Sequence, residues 1–160
     1  VPPERRPTQY YVHTIPGIEG IARDELESRL VDCSIEGYKT VPERNGMVLF
    51  SSAVAASNLL QLRVTEDVFV VLARLQEIPW GREGLDYIQR NLGAALALNH
   101  GLNVLQSVRE LRRNRPVTFR TITRVVSTSQ PYRRSDVTRA VSHALRGRGR
   151  QQWKSVESGE

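Results

Sequence analysis

Tyr10-Tyr11-Val12-His13-Thr14-Ile15-Pro16-Gly17-Ile18-Glu19-Gly20-Ile21-Ala22-Arg23-Asp24-Glu25-Leu26 decides how the rest of the chain is parsed. Tyr10, Val12 and Thr14 alternate with Tyr11, His13 and Ile15, the period-two pattern of aromatic and β-branched residues that makes a strand. Pro16-Gly17 stops it. Ile18, Ile21, Ala22, Leu26 and Leu30 then recur three and four apart, with Glu19, Asp24, Glu25 and Glu27 among them, as an amphipathic helix with an acid-rich beginning requires. Phosphate loops also lie between a strand and a helix, but this turn lacks the lysine such loops use, and Glu19 would repel a phosphate. It is read as a tight turn and a helix start.

Working outward, Ser34 to Val41 and Met47 to Ser52 form a strand pair across Glu43-Arg44-Asn45-Gly46, where Asn-Gly signals a hairpin turn. Ala53 to Leu62 is read as a second helix. Asp67 to Leu75 is a nearly continuous apolar run, expected as a central, covered strand. The order β-α-β-β-α-β over residues 8–78 is that of a ferredoxin-like domain, preceded by a Pro- and Arg-rich tail at residues 1–7. Ile78-Pro79-Trp80-Gly81 breaks the periodicity, and a second domain is expected over residues 79–160. In it, Leu85, Ile88, Leu92, Ala95 and Leu96 mark one helix, and Leu102, Leu105 and Val108 mark another. Val117 to Val126 reads as a strand. Ser135 is the expected N-cap of a last helix whose Val137, Ala140, Val141, Ala144 and Leu145 share one face. Trp153 to Ser158 is read as a strand without a partner in the chain. The fold class is therefore α+β.

Hydrophobic residues at 39% and charged residues at 25% exclude a disordered chain. No run approaches the ~18 apolar residues of a membrane span, and the single Cys33 cannot form an internal disulfide, so a cytoplasmic location is expected. Charge is distributed unevenly. Between Arg109 and Lys154 stand thirteen basic residues against Glu110 and Asp136, a net +11 that leaves −5 for the rest of a chain whose total is +6. A field of one sign repels itself, so this region points to a polyanion. Nearly all of the basic residues are arginine, whose planar fork grips phosphate in a bidentate manner and stacks on bases.

Alternation puts Arg120 and Arg124 on one face of their strand with Ile122 between them, and helical spacing puts Arg139, Arg146 and Arg150 on one side of the last helix. Arg112, Arg113, Arg115, Arg133 and Arg134 flank these elements, and Arg148 and Lys154 complete the basic set. All are expected to converge on a single surface. Carboxylates that would convert the helix stripe into a salt-bridge lattice are absent apart from Asp136. Stacking aromatics in this half are limited to Tyr132, Trp153 and Phe119, which disfavours a single-strand reader. No recognition helix for the DNA major groove and no zinc-finger spacing occur, so a structured RNA, gripped by its phosphates, is the expected partner. His13, His100 and His143 have no metal-ligand spacing, and no nucleophile, acid and base set can be assembled. Neither a catalytic site nor a bound metal or cofactor is expected in these residues.

The quoted opening, from Tyr11-Val12-His13-Thr14 through Leu26, resembles the start of the THUMP-containing tRNA methyltransferases, which begin with a ferredoxin-like domain. Phe119-Arg120 to Arg124, Tyr132-Arg133-Arg134-Ser135-Asp136-Val137, Arg139-Ala140-Val141 and Ala144-Leu145 resemble the heart of the THUMP module, and Trp153-Lys154-Ser155-Val156 is similar to the strand after it. The resemblance implies a ferredoxin-like domain followed by a THUMP α/β module truncated at its C-terminal end. It also implies docking of the tRNA acceptor end, with Arg120, Arg124, Arg133, Arg134 and Arg139 as contacts. Val125-Val126-Ser127-Thr128-Ser129-Gln130-Pro131 stands where the family has a basic residue and a glycine, which weakens any contact from that turn. The family's S-adenosylmethionine turn and its Asn/Asp-Pro-Pro-Tyr loop are not found here. Methylation of a guanosine amine, and the S-adenosylmethionine it uses, are thereby assigned to a Rossmann-type catalytic domain in cis beyond these residues. The alternatives are a tRNA thiolation or pseudouridine enzyme of the same family, and a protein-interaction or regulatory module that pairs through a sheet edge.

Overall fold

The computed structural model describes residues 6–41, 44–109, 118–124, 129–146 and 154–155. Among them are a four-stranded antiparallel sheet, a two-stranded parallel pair and five helices. They fall in two compact units, Val1–Val71 with Leu98–Glu110, and Leu72–Ala97 with Leu111–Glu160. This is not the single division after residue 78 expected from the sequence. The chain leaves the first unit after the fourth strand, returns to it for one helix, and leaves again. Of the expected tail, residues 1–5 lie outside the described residues, while Arg6 and Pro7 are exposed and irregular.

In the first unit β1 (Thr8–Thr14), α1 (Glu19–Arg29), β2 (Ser34–Thr40), β3 (Gly46–Ser52), α2 (Ala56–Leu59) and β4 (Asp67–Val70) follow the expected order. The sheet order is β2-β3-β1-β4. β1 lies between β3 and β4, with Val12 opposite Val48 on one side and Val68 on the other. The alternation of β1 and β3 places Tyr10, Val12, Val48 and Phe50 in the core with Ala22 and Leu26 of α1, with Leu30 at its C-cap and with Leu59. Burying each large side chain contributes roughly 1.5–3 kcal/mol. Ile21, placed on the helix's apolar side by spacing alone, is instead 59% exposed.

Two elements differ from expectation. The helix expected over residues 53–62 is one turn, Ala56–Leu59, which buries Leu59, while Val54 and Leu62 pack against the core from outside the turn. β4 is an edge strand in the described sheet rather than a central one. Its apolar run has another cause: both of its faces are covered. Val68 and Val70 pack on the core, while Phe69, on the opposite face, stacks on Tyr11 with ring centres 4.6 Å apart and meets the His13 edge at 4.9 Å. α4 (Leu98–Val108) returns to this unit, where Val104 packs on the core and Leu105, expected inward, is exposed. His100, on α4, lies 3.0 Å from the Thr8 hydroxyl.

The second unit holds α3 (Arg82–Ala95), β5 (Thr118–Phe119), α5 (Arg134–Arg146) and β6 (Lys154–Ser155). α3 packs against α5, with Ile88 buried on one and Ala140 and Ala144 on the other. The strand expected near the chain's end does have a partner: β6 pairs in parallel with β5, Thr118 opposite Lys154 and Phe119 opposite Ser155. Parallel neighbours need a long crossover, and the segment between β5 and β6 includes α5. The unit is thus a β-α-β arrangement.

Candidate nucleic-acid interface

From Phe119 to Arg124 the side chains alternate, with Phe119, Thr121 and Thr123 half-buried and Arg120, Ile122 and Arg124 exposed. The inward threonines meet α5. Thr121 Oγ1 lies 3.2 Å from Ser142 Oγ, and Thr123 Oγ1 lies 2.6 Å from Thr138 Oγ1. The Thr138 hydroxyl donates to the Arg134 carbonyl at 2.9 Å. A hydroxyl has one proton to give, so Thr123 donates to Thr138. This hydroxyl seam fixes which way the segment faces, and it therefore turns Arg120, Ile122 and Arg124 away from α5.

α5 begins one residue before the expected N-cap. Its first residue is Arg134, so Arg133 is the N-cap and Ser135 lies within the first turn. Asp136 supplies the cap from inside the helix, its carboxylate accepting the Arg133 N–H at 3.3 Å. That is one half of a capping box, with the acid at the third helical position reaching back. Val137, Ala140, Val141, Ala144 and Leu145 are buried or half-buried, as their spacing implied, while Arg139 and His143, one turn apart, are exposed.

On α1, Arg23 meets Asp24 at 2.8 Å and Arg29 meets Glu25 at 3.3 Å. Arg120, Arg133, Arg134 and Arg139 reach no carboxylate among the described residues. Arg133 and Arg134 also sit at the positive end of the α5 dipole, where cations are unfavourable. Their placement costs stability, and only Asp136 offsets it locally.

The strand expected over Val117 to Val126 is, among the described residues, only Thr118–Phe119, so Arg120 and Arg124 stand on the segment that follows it, while Arg139 projects from α5 and Arg133 with Arg134 stands at the helix start. The hydroxyl seam keeps Arg120 and Arg124 on the side of their segment away from α5. Arg146 ends α5 and Lys154 lies in β6, where the backbone alone is described. Arg112, Arg113, Arg115, Arg148 and Arg150 lie outside the described residues.

Of the aromatics expected to stack on bases, Tyr132 is committed to structure. Its hydroxyl donates to the Pro79 carbonyl at 2.6 Å, and burial pushes its phenol pKa up. Phe119 is half-buried, and Trp153 lies outside the described residues. Trp80, which the sequence offered only as a break in periodicity, is 73% exposed. Its flanking proline and glycine were the one available signal of a loop tip.

Other candidates carry less. In the turn between β1 and α1, Glu19 itself accepts the Gly17 N–H at 3.1 Å, filling the seat an anion would need. Cys33 packs beside the first unit's core, where burial and then the charge of Glu27 raise its thiol pKa. No group of His, Cys, Asp and Glu able to hold a metal, and no helix long and apolar enough to cross a membrane, occurs among the described residues. Comparison of the chain with protein-family models, with curated proteins and with solved structures finds no match.

Proposed function

We propose that this chain is the RNA-gripping region of a tRNA-modifying enzyme, a ferredoxin-like domain joined to a THUMP module that docks the acceptor end of tRNA. The chemistry, methylation of a guanosine amine with S-adenosylmethionine, belongs in this reading to a Rossmann-type domain in cis beyond these residues. The sheet order β2-β3-β1-β4 with one crossover helix in each half supports the first assignment, and the β5-α5-β6 unit supports the second. Fold alone says little about function. The observation that carries the proposal is electrostatic: exposed arginines on α5 and on the segment that follows β5 and bonds to α5, at least four of them without a carboxylate partner among the described residues, two at a helix end that disfavours them.

The rival reading, pairing through a sheet edge, is opposed at one of the described sheet's two edges, β2. That edge strand is bulged between Ile35 and Gly37 and carries Glu36 and Lys39, devices that discourage pairing.

Titration of labelled tRNA at two salt concentrations tests the proposal. Each phosphate contact adds about 0.7–0.9 to the salt slope. Contacts from Arg120, Arg124, Arg133, Arg134 and Arg139 together weaken binding by on the order of 100-fold for a fourfold rise in salt. Affinity that does not change with salt overturns it.

A further inference from the structure

We infer that Trp80 is a stacking platform for an unpaired base of the bound RNA, mounted beside the arginine pair that opens α5. The inference rests on the RNA-binding reading above and adds to it a requirement for a single-stranded stretch next to the gripped backbone.

Trp80 is 73% exposed and makes no ring contact with any described residue. An indole is a large apolar surface to leave in water, and the loop that carries it is held firmly. Pro79 fixes its own backbone before it, and Gly81 follows with φ at 72°, a conformation that favours glycine. The Pro79 carbonyl accepts the Tyr132 hydroxyl at 2.6 Å, and the Ile78 carbonyl accepts the Gln130 amide at 3.2 Å. Gly84, one turn into α3, lies where any added Cβ would strike both the Tyr132 hydroxyl and the Pro79 carbonyl.

Both carbonyls before Trp80 are thus pinned by the segment that runs straight into Arg133 and Arg134. Trp80 and Arg133 are the residues next to the two ends of one hydrogen bond. The indole and the guanidinium pair therefore belong to one neighbourhood of this unit, and the backbone that carries the indole is held before anything binds. An exposed aromatic on a held backbone beside phosphate-binding cations is how unpaired nucleotides are held without reading their sequence. A protein partner would also cover an exposed indole, but the cations beside it, which reach no carboxylate among the described residues, call for an anion.

The test uses the whole chain with Trp153→Phe, which leaves Trp80 as its single tryptophan. Two RNA hairpins serve as probes, identical except that one carries an unpaired tail at its end. The tailed hairpin is expected to quench Trp80 emission, and the blunt one is not. Trp80→Ala weakens the tailed hairpin by about tenfold, leaves the blunt hairpin and the salt slope unchanged, and Trp80→Phe restores most of the loss. A tailed hairpin that binds the alanine variant as tightly as the parent, or equal losses on both hairpins, overturns the role of Trp80 while the salt-dependent grip still stands. Failure of both hairpins and of tRNA to bind the parent overturns the RNA reading itself, and Trp80 with it; an exposed indole then points to a protein partner.

Discussion

Gly46 and Glu19 illustrate how one residue's type is set by another's position. Asn45-Gly46 reads as a hairpin turn, yet the turn bonds run from Arg44 to Val41 and from Val41 to Asn45, and Gly46 is already the first residue of β3. What requires glycine there is proximity: a Cβ would collide with the Glu19 carboxylate and the Thr14 hydroxyl. Thr14 is fully buried, and Glu19, 4% exposed, is tied to the backbone. Burial alone would raise the Glu19 pKa. The N–H groups of Glu19 and Gly17 and the Thr40 hydroxyl outweigh it, and the carboxyl lies below its ordinary 4.5. A carboxyl depressed by folding contributes stability above its unfolded pKa and loses it as pH falls through the folded value. Glu19→Gln should therefore cost about 1–3 kcal/mol at neutral pH, because an amide cannot accept as a carboxylate does. The gap to the parent should narrow below pH about 4. Urea unfolding at both pH values measures it, and a gap that stays constant refutes the role given to the charge.

At the scale of elements, periodic features were legible and pairwise ones were not. The core face of α5, from Val137 to Leu145, follows from spacing because a helix repeats every 3.6 residues. Its cap does not, since Ser135 and Asp136 both carry capping oxygens and only the geometry selects the acid. The order of elements over residues 8–70 was readable from alternating periods. The β5–β6 pair was not, because parallel partners lie far apart in sequence and leave no turn signal between them. In the candidate site, alternation foretold the exposure of Arg120 and Arg124 although the strand itself stops at Phe119, and the threonine seam that turns them away from α5 depends on contacts. Trp80 escaped because a lone exposed aromatic has no periodicity to betray it. The loop that carries it gives an element-scale prediction. Gly84→Ala should destabilise the second unit by about 1–3 kcal/mol, as overpacking does. Tyr132→Phe in the same chain should recover only part, since the hydroxyl leaves and the Pro79 carbonyl stays. Thermal melts of the single and double variants check it, and full recovery in the double variant sinks the claim that the carbonyl also blocks the site.

For the molecule as a whole, the uneven charge sets stability against binding. A net +11 between Arg109 and Lys154, against −5 elsewhere, repels itself in the free protein, and the repulsion is strongest at low salt. If the exposed arginines were there to hold the fold together, removing them would weaken it. Arg120 and Arg139 project into solvent from different elements and reach no carboxylate among the described residues, so the opposite is expected. Arg120→Gln with Arg139→Gln should leave stability unchanged or raise it by up to about 1 kcal/mol at low salt, with the gain fading as salt is added. The same pair of changes should lower tRNA affinity at least about tenfold and reduce the salt slope by roughly 1.5, since two phosphate contacts are lost. Chemical unfolding and tRNA titration on one variant therefore move in opposite directions. A chain that loses stability along with affinity would mean these arginines are structural, and the charge would then be explained by the fold instead of by a polyanion.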